Sequence, residues 1–460
     1  MSDVAPARPR PPSVERVLAP VRARLPQADP AALVELARAV VDAERERLAA
    51  GRPATSLEAL ADEAIARLAA FTDPAAEGGP VPPSVVNATG VVLHTNLGRA
   101  PWPTAAIQAA SAAAATYGYL ELDEISGRRG ARFRVAEAHL AALTGAEAGM
   151  VVTNAAAALL LAVGLAGRRR AVVVSRGELV EIGGGVRIPE VVARAGARLV
   201  EVGTTNRTRA ADFEAPLLEG RATLVLRVHP SNFALTGFAE SADLAEVASI
   251  AHRHGALVVD DLGSGALLDT AAFGLAHEPM PSERLAAGAD VVVFSGDKLV
   301  GGPQAGLIVG REDLIGKLRR DPLARAIRPD KAILAGVAAT LGLYRAGRAV
   351  ADVPVWRAIA RTPDELRARA EAMVGTVGPR AEVVALESAV GGGSLPGQTL
   401  ASFGVAVRVA SPDRAAAALR RGPDRVLARI ETDALVCDLR TVEPADDALL
   451  ARRLAGLAGS

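Results

Sequence analysis

An α/β protein built on a mostly parallel sheet, with a helical module before it and a smaller α+β domain after it, is what this sequence predicts. Three observations carry the prediction. Between about 85 and 345, short β-branched runs alternate with helical stretches; before 80, apolar residues recur at helical spacing; after about 345, helices are interspersed with strand-like runs. The expected domains are therefore 1–80, 81–345 and 346–460.

In the first domain, Asp29-Pro30 offers an N-cap with proline at N1, ahead of Leu33, Leu36, Val40 and Val41. Thr55-Ser56-Leu57-Glu58 has the spacing of a capping box before a second apolar face of Leu57, Leu60, Ala64, Ile65 and Leu68. The stretch Gly-Gly-Pro-Val-Pro-Pro at 78–83 reads as a linker. In the second, the expected strands are Gly149–Thr153, Ala171–Ser175, Leu199–Val202, Leu224–Val228, Leu257–Asp260, Val291–Phe294 and Leu307–Val309. In the third, helices are expected over Asp364–Val374 and Pro412–Arg420, and strands over Phe403–Val409 and Ala434–Leu439.

Composition narrows the function classes. Half of the 460 residues are apolar, enough for two or three packed domains. Lys plus Arg and Asp plus Glu both number 52, so overall charge gives no steering toward nucleic acid, although a basic patch on one face would survive the cancellation. The single cysteine, Cys437, excludes an intramolecular disulfide and reads as a buried core thiol, which suits a reducing cytoplasm. Arg8, Arg10, Pro11 and Pro12 stand where a secretory signal needs an apolar core, and no run approaches the ~20 apolar residues of a membrane span. A soluble, untargeted protein is expected.

Lysine is scarce in this arginine-rich chain, which makes Lys298 noticeable in Ser-Gly-Asp-Lys-Leu-Val-Gly-Gly-Pro-Gln-Ala-Gly, 295–306. A strand leads into this turn, and its glycines let backbone approach a ligand closely. Two further pieces precede it. The strand ending at Val152-Thr153 turns through Asn154-Ala155-Ala156-Ala157 into an apolar helix, whose free N–H groups suit a phosphate, as they would at any strand-to-helix turn. The strand Val258-Val259-Asp260-Asp261 delivers two carboxylates to the sheet edge that binds ligands. Asp261, next to the Gly263-Ser264-Gly265 turn, is preferred as the one facing the site, where a pyridinium nitrogen would be a suitable partner for a buried carboxylate. A buried lysine can lose its proton and become nucleophile and base, and Ser295 offers a hydroxyl to the phosphate. Strand, phosphate-ready helix, buried Asp and lysine in this order point to pyridoxal 5'-phosphate.

The segments Asn87–Ala100, Ser175–Gly184, Glu201–Asn206, Ser231-Asn232-Phe233, Asp261–Gly265, the Lys298 loop and Ser388–Gln398 together resemble bacterial selenocysteine synthases, the L-seryl-tRNA(Sec) selenium transferase family, essentially end to end. The resemblance implies the aspartate-aminotransferase-like fold type I of pyridoxal-phosphate-dependent transferases. It also implies an assembly of dimers into a decamer, and conversion of seryl-tRNA(Sec) with selenophosphate through a cofactor-bound aminoacrylyl intermediate. Lys298 would carry the cofactor, Asn154, Ala155 and Ala156 its phosphate, and Asp261 its ring nitrogen. His229 is either a cofactor contact or a hydrogen-bonded structural histidine. Asp297 would protonate the departing oxygen or orient Lys298. Arg99, Arg325 and Arg328 are the choices for selenophosphate, because arginine forks suit an oxyanion and the last two would share a helix face if their segment is helical. No aromatic residue is obviously placed to stack on the ring.

A lyase acting on a small amino acid or amino-sugar phosphate would share these core motifs. The helical module of about 80 residues favours the tRNA reading, since a small substrate does not require it; its Arg8, Arg10, Arg16, Arg22 and Arg24 could contact phosphates. A non-catalytic binding protein on the same fold is disfavoured by the intact Lys298 and Asp261.

Overall fold

Strands buried on both faces read as continuous β-branched runs, because successive side chains leave the sheet on opposite sides and both sides are covered. In the computed structural model, which describes residues 10–458 apart from 75, 77, 130, 131, 184, 221, 232, 234–236 and 423, this principle builds the larger of two units. Of the residues singled out above, Arg8, Gly184 and Asn232 lie outside the described ones.

The principal strands are β1 (Ala148–Val152), β2 (Ala171–Ser175), β3 (Arg198–Val202), β4 (Ala222–Val228), β5 (Leu257–Gly263), β6 (Val291–Ser295) and β7 (Gly306–Gly310). They form one seven-stranded sheet in the order β1-β7-β6-β5-β4-β2-β3. All seven coincide with the runs read from the sequence. β2 to β6 pair in parallel, and β7 runs antiparallel between β1 and β6. Val172, Val174, Leu226, Val259 and Val293 pack on one face, while Val173, Val225, Val258 and Val292 pack on the other.

After the helix Pro363–Val377, four strands make a separate antiparallel sheet: β8 (Ala381–Gly391), β9 (Ser394–Val407), β10 (Arg429–Glu431) and β11 (Ala434–Asp438), in the order β8-β9-β11-β10. β8 and β9 form a long hairpin whose tip is the run of glycines 391–393. Asp438, fully buried at the end of β11, accepts hydrogen bonds from the hydroxyls of Ser388 at 2.8 Å and Ser402 at 2.7 Å and from Arg440 N at 3.0 Å. Cys437 beside it is the buried thiol expected, its pKa pushed up to about 12 by burial.

The smaller unit carries the helices Val14–Arg24, Pro30–Ala49 and Leu57–Ala70, packed through Val17, Leu18, Val21, Leu33, Leu36, Val40, Leu60 and Ala64. Asp29 caps the second helix through Ala31 N and Ala32 N. The capping box expected from Thr55 to Glu58 is replaced by another arrangement. Ser56 is the N-cap, accepting from Ala59 N at 3.1 Å, while Thr55 gives both its N–H and its hydroxyl to the buried Glu44, each at 2.8 Å. The competing acceptor is a carboxylate from the preceding helix, which sequence spacing does not reveal. Among the described residues no helix is long and apolar enough to cross a membrane.

Candidate active site

Helices that follow parallel strands present unpaired N–H groups at the strands' C-terminal ends, which is why open α/β sheets bind anionic ligands there. Asn154 follows β1 as the N-cap of the helix Ala155–Val163. Its Oδ1 accepts from Ala157 N at 2.8 Å and its carbonyl from Ala158 N at 3.0 Å, leaving the N–H groups of Ala155 and Ala156 as those without an intrahelical acceptor.

β5 delivers the two aspartates to opposite faces. Asp260 is fully buried and ion-paired with Arg284. Asp261 accepts from Gly263 N at 3.1 Å, and burial pushes its pKa up to about 6; the Lys298 charge opposes the rise, Asp260 adds to it, and His229 weakly opposes it. Asp260 thus already has a guanidinium partner.

β6 ends at Ser295, and the turn after it places Asp297 and Lys298, 6 % and 9 % exposed. Burial pulls the Lys298 amine below the ordinary lysine range; Asp261 raises it, Arg99 lowers it further, and Asp297 and Glu278 raise it. Lys298 Nζ donates to the carbonyl of Gly393, at the tip of the β8–β9 hairpin, at 3.4 Å. Below the turn, the buried Tyr344 hydroxyl lies 3.1 and 2.9 Å from the carbonyls of Leu299 and Val300 and accepts from Trp356 Nε1.

Backbone contacts join the three pieces. Leu299 N donates to the Ser264 carbonyl at 3.1 Å, tying the lysine turn to the aspartate turn. On β7, Gly306 pairs with Val152 on one side and Ser295 on the other, and a Cβ there would stand 2.1 Å from the Asn154 carbonyl oxygen. Any side chain at 306 therefore forces the Asn154 turn away from the lysine turn. Gly306→Ala is expected to cost about 1–3 kcal/mol in stability and to weaken cofactor binding about tenfold or more, read by thermal melting and equilibrium dialysis; wild-type affinity would show that the turns move independently.

Arg99 is brought to the same place. It pairs with Asp297 at 2.9 Å, and its backbone adopts a left-handed conformation, φ +65°, held by its N–H on the His94 carbonyl at 3.1 Å. His229 follows β4, donates from its backbone N–H to the Asp261 carbonyl at 2.8 Å, and has Nε2 3.4 Å from Oε1 of the buried Glu278. Glu278 and the Gly393 carbonyl are the members sequence reasoning missed. The Gly393 carbonyl accepts from the lysine and Glu278 lies beside His229, each from a loop distant in the chain, and only the Gly-rich run before Ser394 carried a local signal.

Arg325 and Arg328 occupy a different cleft, of about 460 Å³, lined also by Glu121, Arg132, Val151 and Arg319. Lys298 does not line it. The helix Pro322–Ala326 ends before Arg328, so the two arginines do not share a helix face; Arg328 instead pairs with Glu121 at 2.5 Å. The Ile327 carbonyl accepts from Thr153 N at 2.9 Å, which connects this cleft to the Asn154 turn. Glu178, in the Ser175–Gly184 segment, is a buried tie between strands, bonded to Arg227 Nε at 2.9 Å and Val228 N at 3.0 Å.

A family model for L-seryl-tRNA selenium transferase matches residues 85–443. The chain belongs to that family. The L-seryl-tRNA(Sec) selenium transferase of Hyphomonas neptunium is 47 % identical over 370 residues, covering 79 % of this chain and 80 % of that protein. The one from Moorella thermoacetica is 47 % identical over 382 residues, covering 80 % of each. Among solved structures, a D-glucosaminate-6-phosphate ammonia-lyase shares the fold, with a TM-score of 0.59 and 23 % identity over 82 % of this chain and 96 % of that one. The fold is the fold type I expected from the sequence.

Selenium transferases of this family depend on pyridoxal phosphate, and the residues present fit that group. The buried amine is one that can be uncharged, and the buried carboxylate of Asp261 calls for a cationic partner. Space beside the amine is kept by Gly263, φ +67°, where a Cβ would lie 3.8 Å from Lys298 Nζ and 3.0 Å from Ser231 Oγ.

Proposed function

We propose that this chain converts L-seryl-tRNA(Sec) into L-selenocysteinyl-tRNA(Sec) with selenophosphate, using pyridoxal phosphate carried on Lys298. The observation that carries the reading is the buried Lys298 amine, coupled to the buried Asp261 at the sheet edge that also bears the Asn154 turn, in a member of the selenium transferase family.

When bound, the cofactor supplies an electron sink for negative charge at the seryl Cα. Asn154, Ala155, Ala156 and Ser295 hold its phosphate, Asp261 keeps a proton at its ring nitrogen, and His229 contacts it. Lys298, with an amine less basic than ordinary lysine, acts as nucleophile and then as the base that takes the Cα proton. The departing seryl oxygen needs a proton. Asp297 is engaged by Arg99, which supports the orienting role for Asp297 over proton delivery. Arg99, Arg325 and Arg328 bind selenophosphate, the last two from the neighbouring cleft.

The helical module of residues 1–80 holds the tRNA, and residues 81–345 and 346–460 form the cofactor-binding and small domains. In the module, Arg22 and Arg24 are half exposed while paired with Glu15 and Asp62, so their forks are held at the surface. We place the enzyme in the cytoplasm, as dimers assembled into a decamer.

The deciding assay is selenium incorporation from selenophosphate with seryl-tRNA(Sec) compared with free L-serine. Conversion of the aminoacyl-tRNA alone is expected, and equal conversion of free serine would replace this reading with a small-substrate lyase. Arg325→Ala should slow selenium transfer about tenfold more than loss of the seryl hydroxyl; equal slowing of both steps would remove Arg325 from selenophosphate binding.

A further inference from the structure

Glu278 is 3 % exposed, and its Oε1 is buried without a hydrogen-bond partner, 3.4 Å from His229 Nε2. A buried carboxylate oxygen left without a hydrogen bond is unfavourable, so its retention calls for a nearby positive charge or polar donor to offset it. The loop does not need this side chain to hold its path. Glu278 N is bonded to Thr270 Oγ1 at 2.8 Å, Ala276 N to the Gln398 side chain at 3.2 Å, and His277 is clamped between Asp269 and Glu283 at 2.8 and 2.9 Å. With the backbone pinned on both sides, the carboxylate is presented to the site by a rigid frame.

One nitrogen lies against it and a second feels its charge. One is the His229 imidazole, whose backbone is fixed to Asp261. The other is the Lys298 amine, on which Glu278 acts as a negative charge. The charged groups around Lys298 are then Asp261 from β5, Asp297 from its own turn, Arg99 from the Asn87–Ala100 segment and Glu278 from the loop before the helix Pro281–Ala286. Asp261 accepts from Gly263 N and is proposed above to meet the ring nitrogen, while Asp297 is paired with Arg99. Among the described residues, Glu278 Oε1 is the one carboxylate oxygen of this set that is fully buried with no hydrogen-bond partner.

We infer that Glu278 is a further positioning residue of this site, a buried counter-charge that holds the His229 imidazole in place. The inference rests on the proposed cofactor site for its readout, and the controls below separate the two.

The test uses the full chain loaded with pyridoxal phosphate, in wild-type, Glu278→Gln, His229→Gln and doubly substituted forms, each checked for folding by circular dichroism. Two quantities are read: the pH midpoint of the visible band of the cofactor attached to Lys298, and the cofactor dissociation constant. Removing a nearby negative charge disfavours the protonated nitrogen, so Glu278→Gln should lower the midpoint by about one pH unit and weaken cofactor binding about tenfold. In the His229→Gln background the same substitution should weaken binding less than about threefold further, because the contact it breaks is already gone. An unmoved midpoint, or losses of affinity that simply multiply, would overturn the role of Glu278. If Glu278→Gln does not fold, Glu278→Asp replaces it, and a wild-type midpoint together with wild-type affinity would overturn the role equally. A wild-type chain that shows no visible band with pyridoxal phosphate would sink the cofactor reading itself, a distinct failure.

Discussion

Lys298→Ala is expected to yield a folded protein that loses pyridoxal phosphate on desalting and turns over at least about a thousandfold more slowly. Borohydride reduction should label the wild-type chain at Lys298 and leave the variant unlabelled by mass. The size of the effect follows from the absence of a substitute. The chain has three lysines, and the other two are engaged elsewhere, Lys317 with Asp313 at 3.7 Å and Lys331 with the Thr116 carbonyl. No other lysine amine stands ready to take over covalent attachment or the Cα proton. A variant that keeps its colour through desalting would mean that the covalent residue has been misassigned.

The second large effect is at Asp261, and it has opposite signs for activity and for stability. Asp261→Asn removes the charge proposed to keep the ring nitrogen protonated, and turnover should fall on the order of a hundredfold or more. In the cofactor-free protein the carboxyl titrates at about 6 because it is buried, against about 3.9 in an unfolded chain. The folded state therefore holds this proton more tightly than the unfolded state. The group favours folding below about pH 4, and that contribution disappears as pH rises through 6. At pH 8 the ionised carboxylate costs the cofactor-free fold on the order of 3 kcal/mol. Asparagine does not ionise, so cofactor-free Asp261→Asn should melt above wild type at pH 8, and the gap should close toward pH 4. Saturating pyridoxal phosphate should narrow the gap at pH 8 by giving the wild-type carboxylate its cation. Coincident melts of the two cofactor-free proteins at both pH values would mean that Asp261 is solvated and not the buried partner described above.

The central sheet was legible because each of its strands is covered on both sides, which leaves a compact run such as Val172-Val173-Val174 with no other stable placement. The lysine and aspartate turns were legible for a different reason: carboxylates and an amine directly after buried strands stand out against their surroundings. What stayed hidden depended on contacts between distant segments. Glu278 sits in Ala-His-Glu-Pro-Met, which has no periodicity and no motif, and becomes a site residue only through the neighbouring His229. The long β8–β9 hairpin was read only in part, from Phe403 onward, because the glycines and Pro396 near its tip resemble a loop. Arg325 and Arg328 would share a helix face only if their segment were helical throughout, and the helix Pro322–Ala326 stops between them. In the helical module, Thr55 was assigned to a cap and found bonded to Glu44 in the helix before it.

One feature of the sheet order bears on how the protein is made. β1 lies at the edge of the sheet and is hydrogen-bonded there to β7 alone, although more than 150 residues separate them in the chain. As synthesis proceeds, β2 to β6 can associate with one another while β1 waits for a partner not yet translated. The Asn154 turn that β1 carries is thus completed late, and closing so long a loop is slow. A nascent chain stopped just short of Gly306 would already hold Asp261 and Lys298 at the ends of paired strands while the Asn154 turn is still unanchored. Competence to capture the cofactor therefore arrives with β7, near the end of the large domain's translation.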